Sequence, residues 1–276
     1  MRVALSFARV SQVRIVFVNT AEHDAEIQDQ FTKQAVPFLE RHAHSMDGLL
    51  ELMADCAQVR ARDTLLDVAC GPGIISCFFA QRVRAVIGLD TVPAMLESAK
   101  RFQAEKQLHN VEWKLGQATS LPFAEASFDC AVTRFSFHHF VDPKTALLEM
   151  KRVAKPGGTI LVADVTPREE VQDRFDYWEI LRDPSHTRAL TLKEMKGLGE
   201  DAGLELHRES HFGLVMELED LLAGSFPRPG DADRIRALFE EDIQADRDEL
   251  GVSARRDAGA IQITYPVAVL AWRKQQ

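Results

Sequence analysis

The stretch LLDVACGPGII, residues 65–75, decides the fold. An apolar run of Leu65, Leu66 and Val68 carries an acid, Asp67, near its end, then turns through Gly71-Pro72-Gly73 into a second apolar segment. A buried strand, a glycine turn and a helix in that order form a common cradle for a nucleotide. The turn by itself does not say which nucleotide. Gly71 to Ser76 nearly spells G-x-G-x-x-G, but Ser76 stands where a dinucleotide binder has Gly or Ala.

The acids on either side of the turn discriminate further. Asp67 repels a pyrophosphate and attracts an ammonium group. Asp90, closing the next apolar run AVIGLD, stands where a carboxylate accepts from ribose hydroxyls, a feature shared with NAD binders. Together they favour S-adenosylmethionine (SAM), which carries an ammonium and no phosphate.

Outward from the turn, short apolar strands alternate with helical periodicity. Strands are expected over 64–68, 85–89, 111–115, 128–134 and 159–164, with helices over 74–82, 93–106 and 142–153 between them. Pro93 and Pro143 fall in first helical turns, where a missing N–H costs little, and Asp142 caps the third helix. The pattern predicts βαβ units and a mostly parallel sheet covered on both faces. Upstream, residues 20–60 read as helices, with Pro37 separating two of them. Downstream, helices are expected near 169–181, 192–202 and 232–250, and strands over 205–212 and 261–272. The acidic run at 240–248 reads as a solvated helix face or a contact with a partner subunit.

With 276 residues, 46% hydrophobic, the chain is long enough for one large core. Its net charge of −9 disfavours a phosphate-backbone binder and leaves a small-molecule acceptor as the expected partner, with no nucleic acid. No apolar run approaches a membrane span, so no membrane partner is expected. Four cysteines suit reduced thiols in a cytoplasmic protein. A metal site from Cys56, His42 and His44 lacks any recognised ligand spacing, so none is expected.

LLDVACGPG, IGLD, GQATSLPFAEASFD, FSFHHF with Asp142-Pro143, and EMKRVAKPGGTILVAD, in that order, resemble the class I SAM-dependent methyltransferases. The resemblance is strongest to the ubiquinone/menaquinone-biosynthesis C-methyltransferase-like group and covers about residues 60–165. It implies a Rossmann-like, doubly wound, seven-stranded, mostly parallel sheet with an antiparallel C-terminal edge hairpin. Residues 1–19 become an extension, 20–60 a helical cap, and 61–276 the methyltransferase domain, with a helical insertion at about 213–260. Asp67, Ala69, Gly71 and Gly73 would line the methionine part of SAM, Asp90 would hold the ribose, and Met95 would pack near the adenine. Gln117-Ala118 stands where the family usually has Asp-Ala, and the Gln carbonyl can still accept from the adenine amine. Ala69 replaces a commoner Gly.

The methyl acceptor should meet residues beyond the fourth and fifth strands. His139, then His138, are the expected general bases for a phenol, enol or protonated amine; the alternative is that they only fix the loop. Arg134 lies by the cofactor and either steers an anionic acceptor or pairs with a carboxylate. Asp164 is a candidate for an acceptor amine or hydroxyl. Phe31 and Gln34 read as lid residues or plain helix packing. Tyr177 and Trp178 read equally as an aromatic wall for a flat acceptor or as anchors of their helix. An NAD(P)-dependent oxidoreductase and a non-catalytic SAM-binding subunit are the rival readings. The acceptor atom (O, N or C) stays open, as does a homodimer.

Overall fold

The structure, a computed structural model, describes residues 20–35 and 47–275. The expectations for 1–19, for the Pro37 break and for His42 and His44 lie outside the described residues.

The chain order is α1 (Thr20–Gln34), α2 (Asp47–Ala57), β1 (Thr64–Val68), α3 (Ile74–Ala80), β2 (Ala85–Asp90), α4 (Pro93–Glu105), β3 (Val111–Leu115) and β4 (Phe128–Arg134). Next come a short 3-10 turn (Phe137–His139), α5 (Pro143–Val153), β5 (Ala154–Val165), α6 (Gln172–Arg182) and α7 (Leu192–Asp201). The chain then runs through β6 (Leu204–Glu217), α8 (Leu218–Gly224), α9 (Asp231–Gln244), β7 (Arg255–Asp257) and β8 (Ala260–Lys274).

The strands lie in the order β3-β2-β1-β4-β5-β8-β6. The first five are parallel, while β8 runs antiparallel to both β5 and β6. This is the expected seven-strand array, to which the three-residue β7 adds a short pairing with β8. Alternate residues feed two cores. Leu65 faces Val86, Cys130, Val132 and Leu161 on one side, under α2, α3, α6 and α9. Leu66 and Val68 face Leu89, Ala131, Ile160 and Val162 on the other, under α5 and α7. From β1 the chain winds outward to β2 and β3, then returns to place β4 on β1's other side. That reversal opens a crevice at the carboxyl ends of the strands.

Several boundaries differ from the sequence reading. β5 begins at Ala154 and α9 ends at Gln244, and where the sequence predicts a strand over 205–212, β6 pairs with β8 through Glu217, so the helical segment starts at Leu218. The expected helical cap also divides. α2 buries Leu49, Leu50 and Met53 in the main core, whereas α1 lies over the crevice.

The aromatic wall is not formed. Trp178 is fully buried, ringed by Phe175, Phe239 and Tyr265, and its indole N–H donates to the Leu250 carbonyl at 3.1 Å. Tyr177 points outward and its hydroxyl accepts from Arg234. Of the two readings, anchoring is the one realised, because a helix facing the sheet must bury its largest apolar side chain there. Trp178→Ala should therefore cost about 3–5 kcal/mol of stability, and Tyr177→Ala less than about 0.5 kcal/mol, measured by urea denaturation.

Candidate active site

The site starts at the end of β1. After Val68 the chain turns through Ala69 at φ 55°, Gly71 at φ 52° and Gly73 at φ 84°. A Cβ on Gly71 would meet nothing within 4 Å, so this glycine serves the dihedral and leaves open space above the turn. On Gly73 it would sit 2.6 Å from the Trp113 ring and 2.9 Å from Ala99, so this glycine also lets α3 approach α4. Ala69 has no such freedom. It carries a side chain in the left-handed region, where an L-residue is strained by roughly 1–2 kcal/mol.

The two acids come together here. Asp90 accepts from the Gly71 N–H and the Val92 N–H, each at 2.8 Å, which ties β2 to the turn. Burial raises its pKa, and those two N–H groups work against the rise. Asp67 accepts from the Ser76 hydroxyl at 2.6 Å. Burial pushes its carboxyl up to about 7, against the opposing pull of Ser76 and Arg134. Ser76, the residue that spoils the dinucleotide motif, thus has a role of its own. It supports the acid that turns the site toward a cation.

Both acids line a cavity of about 670 Å³ at the carboxyl ends of the strands. Ala69, Gly71, Met95, Gln117, Ala118, Arg134, His138 and His139 line it too, so the structure gathers these sequence-selected residues around one space. Gly73 falls behind the turn and does not line it. Arg134 lies close enough to Asp67 and Asp164 to feel both charges; burial nevertheless lowers its guanidinium to about 10.

The histidines differ sharply. His138 donates from Nδ1 to Asp164 Oδ1 at 2.5 Å. Burial opposes its charge, but the neighbouring Asp164 outweighs burial and raises its pKa. Asp164 also accepts from the backbone N–H groups of Ser136, Phe137 and Val165. It is 1% exposed and does not reach the cavity. The expectation that Asp164 meets the acceptor is therefore corrected: its oxygens are committed to fixing His138 and the loop. His139 donates from Nδ1 to the Ser185 carbonyl at 3.0 Å. Burial, reinforced by the charge of His138, drops its pKa to about 3.

One wall comes from α1, whose His23, Ile27, Phe31 and Gln34 line the cavity. Its far wall is made by Val165, Leu214, Met216, Leu221 and Tyr265, with the Glu179–Arg182 ion pair and Asp183 at the end of α6. Sequence reasoning missed His23, Glu179, Arg182, Asp183 and Tyr265. In the run EILRD (179–183) Glu179, Arg182 and Asp183 have the spacing of a solvated helix face, and only the tertiary fold buries Glu179 and Asp183 while Ile180 stays exposed. Among the described residues no group of His, Cys, Asp and Glu is placed to hold a metal ion.

Residues 66–162 match a family described as a methyltransferase domain. An uncharacterized methyltransferase, YcgJ of Bacillus subtilis (strain 168), is 36% identical over 170 residues, which is 61% of this chain and 67% of YcgJ. The chain belongs to the class I SAM-dependent methyltransferases. The YcgJ crystal structure superposes with a TM-score of 0.76 at 27% identity, covering 85% of this methyltransferase and all of YcgJ. The ubiquinone/menaquinone biosynthesis C-methyltransferase UbiE of Ruegeria sp. (strain TM1040) is 34% identical over 134 residues; the match takes in 46% of this chain and about half (53%) of that enzyme. A geranyl diphosphate C-methyltransferase from Streptomyces coelicolor A3(2), solved with S-adenosyl-L-homocysteine, shares the fold alone. Its TM-score is 0.56 at 16% identity, covering 82% of this methyltransferase and 78% of that chain.

The strain at Ala69 is directly testable. Ala69→Gly should raise stability by up to about 1 kcal/mol, the relief of the left-handed conformation less the entropy of a glycine. Thermal unfolding of both proteins measures it.

Proposed function

We propose that this methyltransferase transfers the methyl group of SAM to a small-molecule acceptor, with His138 as the general base. One observation carries the proposal: His138, held by Asp164 from behind, lines the same cavity as Asp67 and Asp90.

The residues present fit SAM. A cationic ligand needs an acidic wall, supplied by two buried carboxylates, and a cradle without a Cβ, supplied by Gly71. Asp67 would hold the ammonium group, and a cation against it favours its carboxylate form. Asp90 would accept from the ribose hydroxyls with the lone pairs its two backbone donors leave free. Met95 and Ala118 would flank the adenine, and the Gln117 carbonyl would accept from its amine. Ala69 and Gly71 would border the methionine part, and Gly73 would support the turn from behind. When bound, SAM supplies an electrophilic methyl on a cationic sulfur.

The protein's part is to align the acceptor and to remove its proton. Alignment alone contributes up to roughly 7–11 kcal/mol in well-oriented intramolecular systems. Because His138 donates its Nδ1–H to Asp164, its Nε2 is left as the basic nitrogen. Nε2 takes the acceptor's proton, and Asp164 stabilises the resulting imidazolium. We place His138 ahead of His139 because Asp164, hydrogen-bonded to His138, favours its protonated form, whereas burial and the charge of His138 lower the basicity of His139. The net charge of −9 and a cavity roofed by α1 support a small acceptor over nucleic acid. The four cysteines, all free and buried, support a cytoplasmic setting. No helix of the described residues is long and apolar enough to cross a membrane.

Calorimetric titration with SAM and S-adenosylhomocysteine tests the cofactor. We expect binding of both, weakened at least about tenfold by Asp90→Ala, equivalent to about 1.4 kcal/mol. Unchanged affinity in the variant would remove the ribose placement, and binding of NAD in place of both would remove the function.

The base is tested by pH, with an acceptor found by screening for homocysteine release. The free-base form of His138 must do the work, so kcat/KM rises with pH, with its midpoint above the ordinary histidine value of about 6.5. Asp164→Asn removes the charge that raises the midpoint, leaving burial to lower it. His138→Gln should cost about 10²–10⁴-fold in kcat/KM. A midpoint that Asp164→Asn leaves in place would exclude His138.

A further inference from the structure

We propose that Asp183 is a positioning residue that ties closure of the α1 lid to the loop carrying His138 and His139. The inference rests on reading the cavity as the methyl-transfer site.

Three lid contacts reach that loop and its support, while Gln28 donates to the Thr91 carbonyl and Gln30 to the Phe226 carbonyl. His23 donates from Nε2 to the His139 carbonyl at 2.8 Å. The Phe31 ring stands edge-on to the His139 imidazole, 5.0 Å between centroids. Gln34 donates from Nε2 to Asp183 Oδ2 at 3.2 Å. The other Asp183 oxygen accepts from the Ser185 N–H at 2.9 Å and its hydroxyl at 2.6 Å. The Ser185 carbonyl in turn accepts from His139 Nδ1. A path of hydrogen bonds therefore runs Gln34–Asp183–Ser185–His139. The same segment reaches the base, since Thr187 donates to the His138 carbonyl from both N–H and hydroxyl, each at 2.8 Å.

A carboxylate suits this junction because it has two acceptor oxygens, one for the lid and one for Ser185. An asparagine has one. Both partners are buried, Gln34 at 4% and Asp183 at 2% exposed, so a lost contact is not simply replaced by water. The apolar anchorage of α1 is small: Ile27, Phe31 and Ala35 pack on Val92, Ala94 and Met95 in a cluster separate from both cores. Polar contacts thus carry a large share of what holds the lid down, and each one shifts its opening equilibrium.

A donor–acceptor exchange tests the assignment. Gln34→Glu sets a second carboxylate against Asp183, and Asp183→Asn removes one of the two acceptors. The double variant Gln34→Glu/Asp183→Asn restores the bond in the opposite sense at unchanged net charge. Amide hydrogen exchange over 20–34 is followed without added cofactor, beside kcat and KM for SAM. We expect each single variant to speed exchange in α1 by about tenfold or more, and the double variant to return within about threefold of the parent. The urea midpoint of the whole fold should differ little among the four proteins. Gln34→Ala, which leaves Asp183 with Ser185, should match Gln34→Glu and guards against a misfolded Asp183 variant. A double variant that exchanges as fast as the singles, or single variants with unchanged exchange and kinetics, would overturn the proposal. Absence of SAM binding with the exchange pattern intact would instead overturn the methyl-transfer reading and leave the lid contact standing.

Discussion

Two carboxylates buried side by side at the ends of adjacent parallel strands constrain everything else at this site. Asp67 and Asp90 are 1% and 7% exposed, and burial works against the charge of each. Ionised groups in that position are expensive unless something answers them. The turn answers Asp90 with two backbone N–H groups, and α3 answers Asp67 with the Ser76 hydroxyl. Arg134 supplies nearby positive charge. What is left over is a wall suited to a cationic nucleoside and hostile to a pyrophosphate.

The opposite wall solves a related problem in another way. Asp164 is equally buried, yet it ends with a lowered pKa, because His138 and backbone N–H groups at the ends of β4 and β5 outweigh the cost of burial. The result is an imidazole fixed by its hydrogen bond to Asp164 in the cavity wall. His139, one residue on, points its Nδ1 at Ser185 and loses basicity. Adjacent identical side chains thus take different chemistry from different partners. Neighbouring charge and hydrogen bonding shift the two in opposite directions, His138 up and His139 down.

Between these walls the lid, the ends of α6 and β6, and α8 enclose an interior that is largely apolar, with its charges compensated internally. Glu179 receives Arg182 and the Tyr265 hydroxyl, and Arg182 also reaches the Ser225 hydroxyl. Such networks are rigid when every member is satisfied.

The order of strands and the crevice were legible in the sequence, because local patterns encode them. Alternating apolar strands and helices dictate a parallel sheet, and a glycine turn after the first strand marks where its crevice opens. Ala69, Gly71, Asp90, Met95, Gln117 and Ala118 all line that cavity. The roles of His138 and His139 were not legible, since they depend on Asp164 and Ser185, 26 and 46 residues away in the chain. Nor was the fate of Trp178 or of the EILRD segment, whose helical spacing suits a core, a wall or a solvated face equally well. Sequence alone determined the frame, because backbone geometry and hydrophobic period are local. Tertiary structure decided which polar groups are buried together, because burial and charge depend on neighbours brought in from distant parts of the chain.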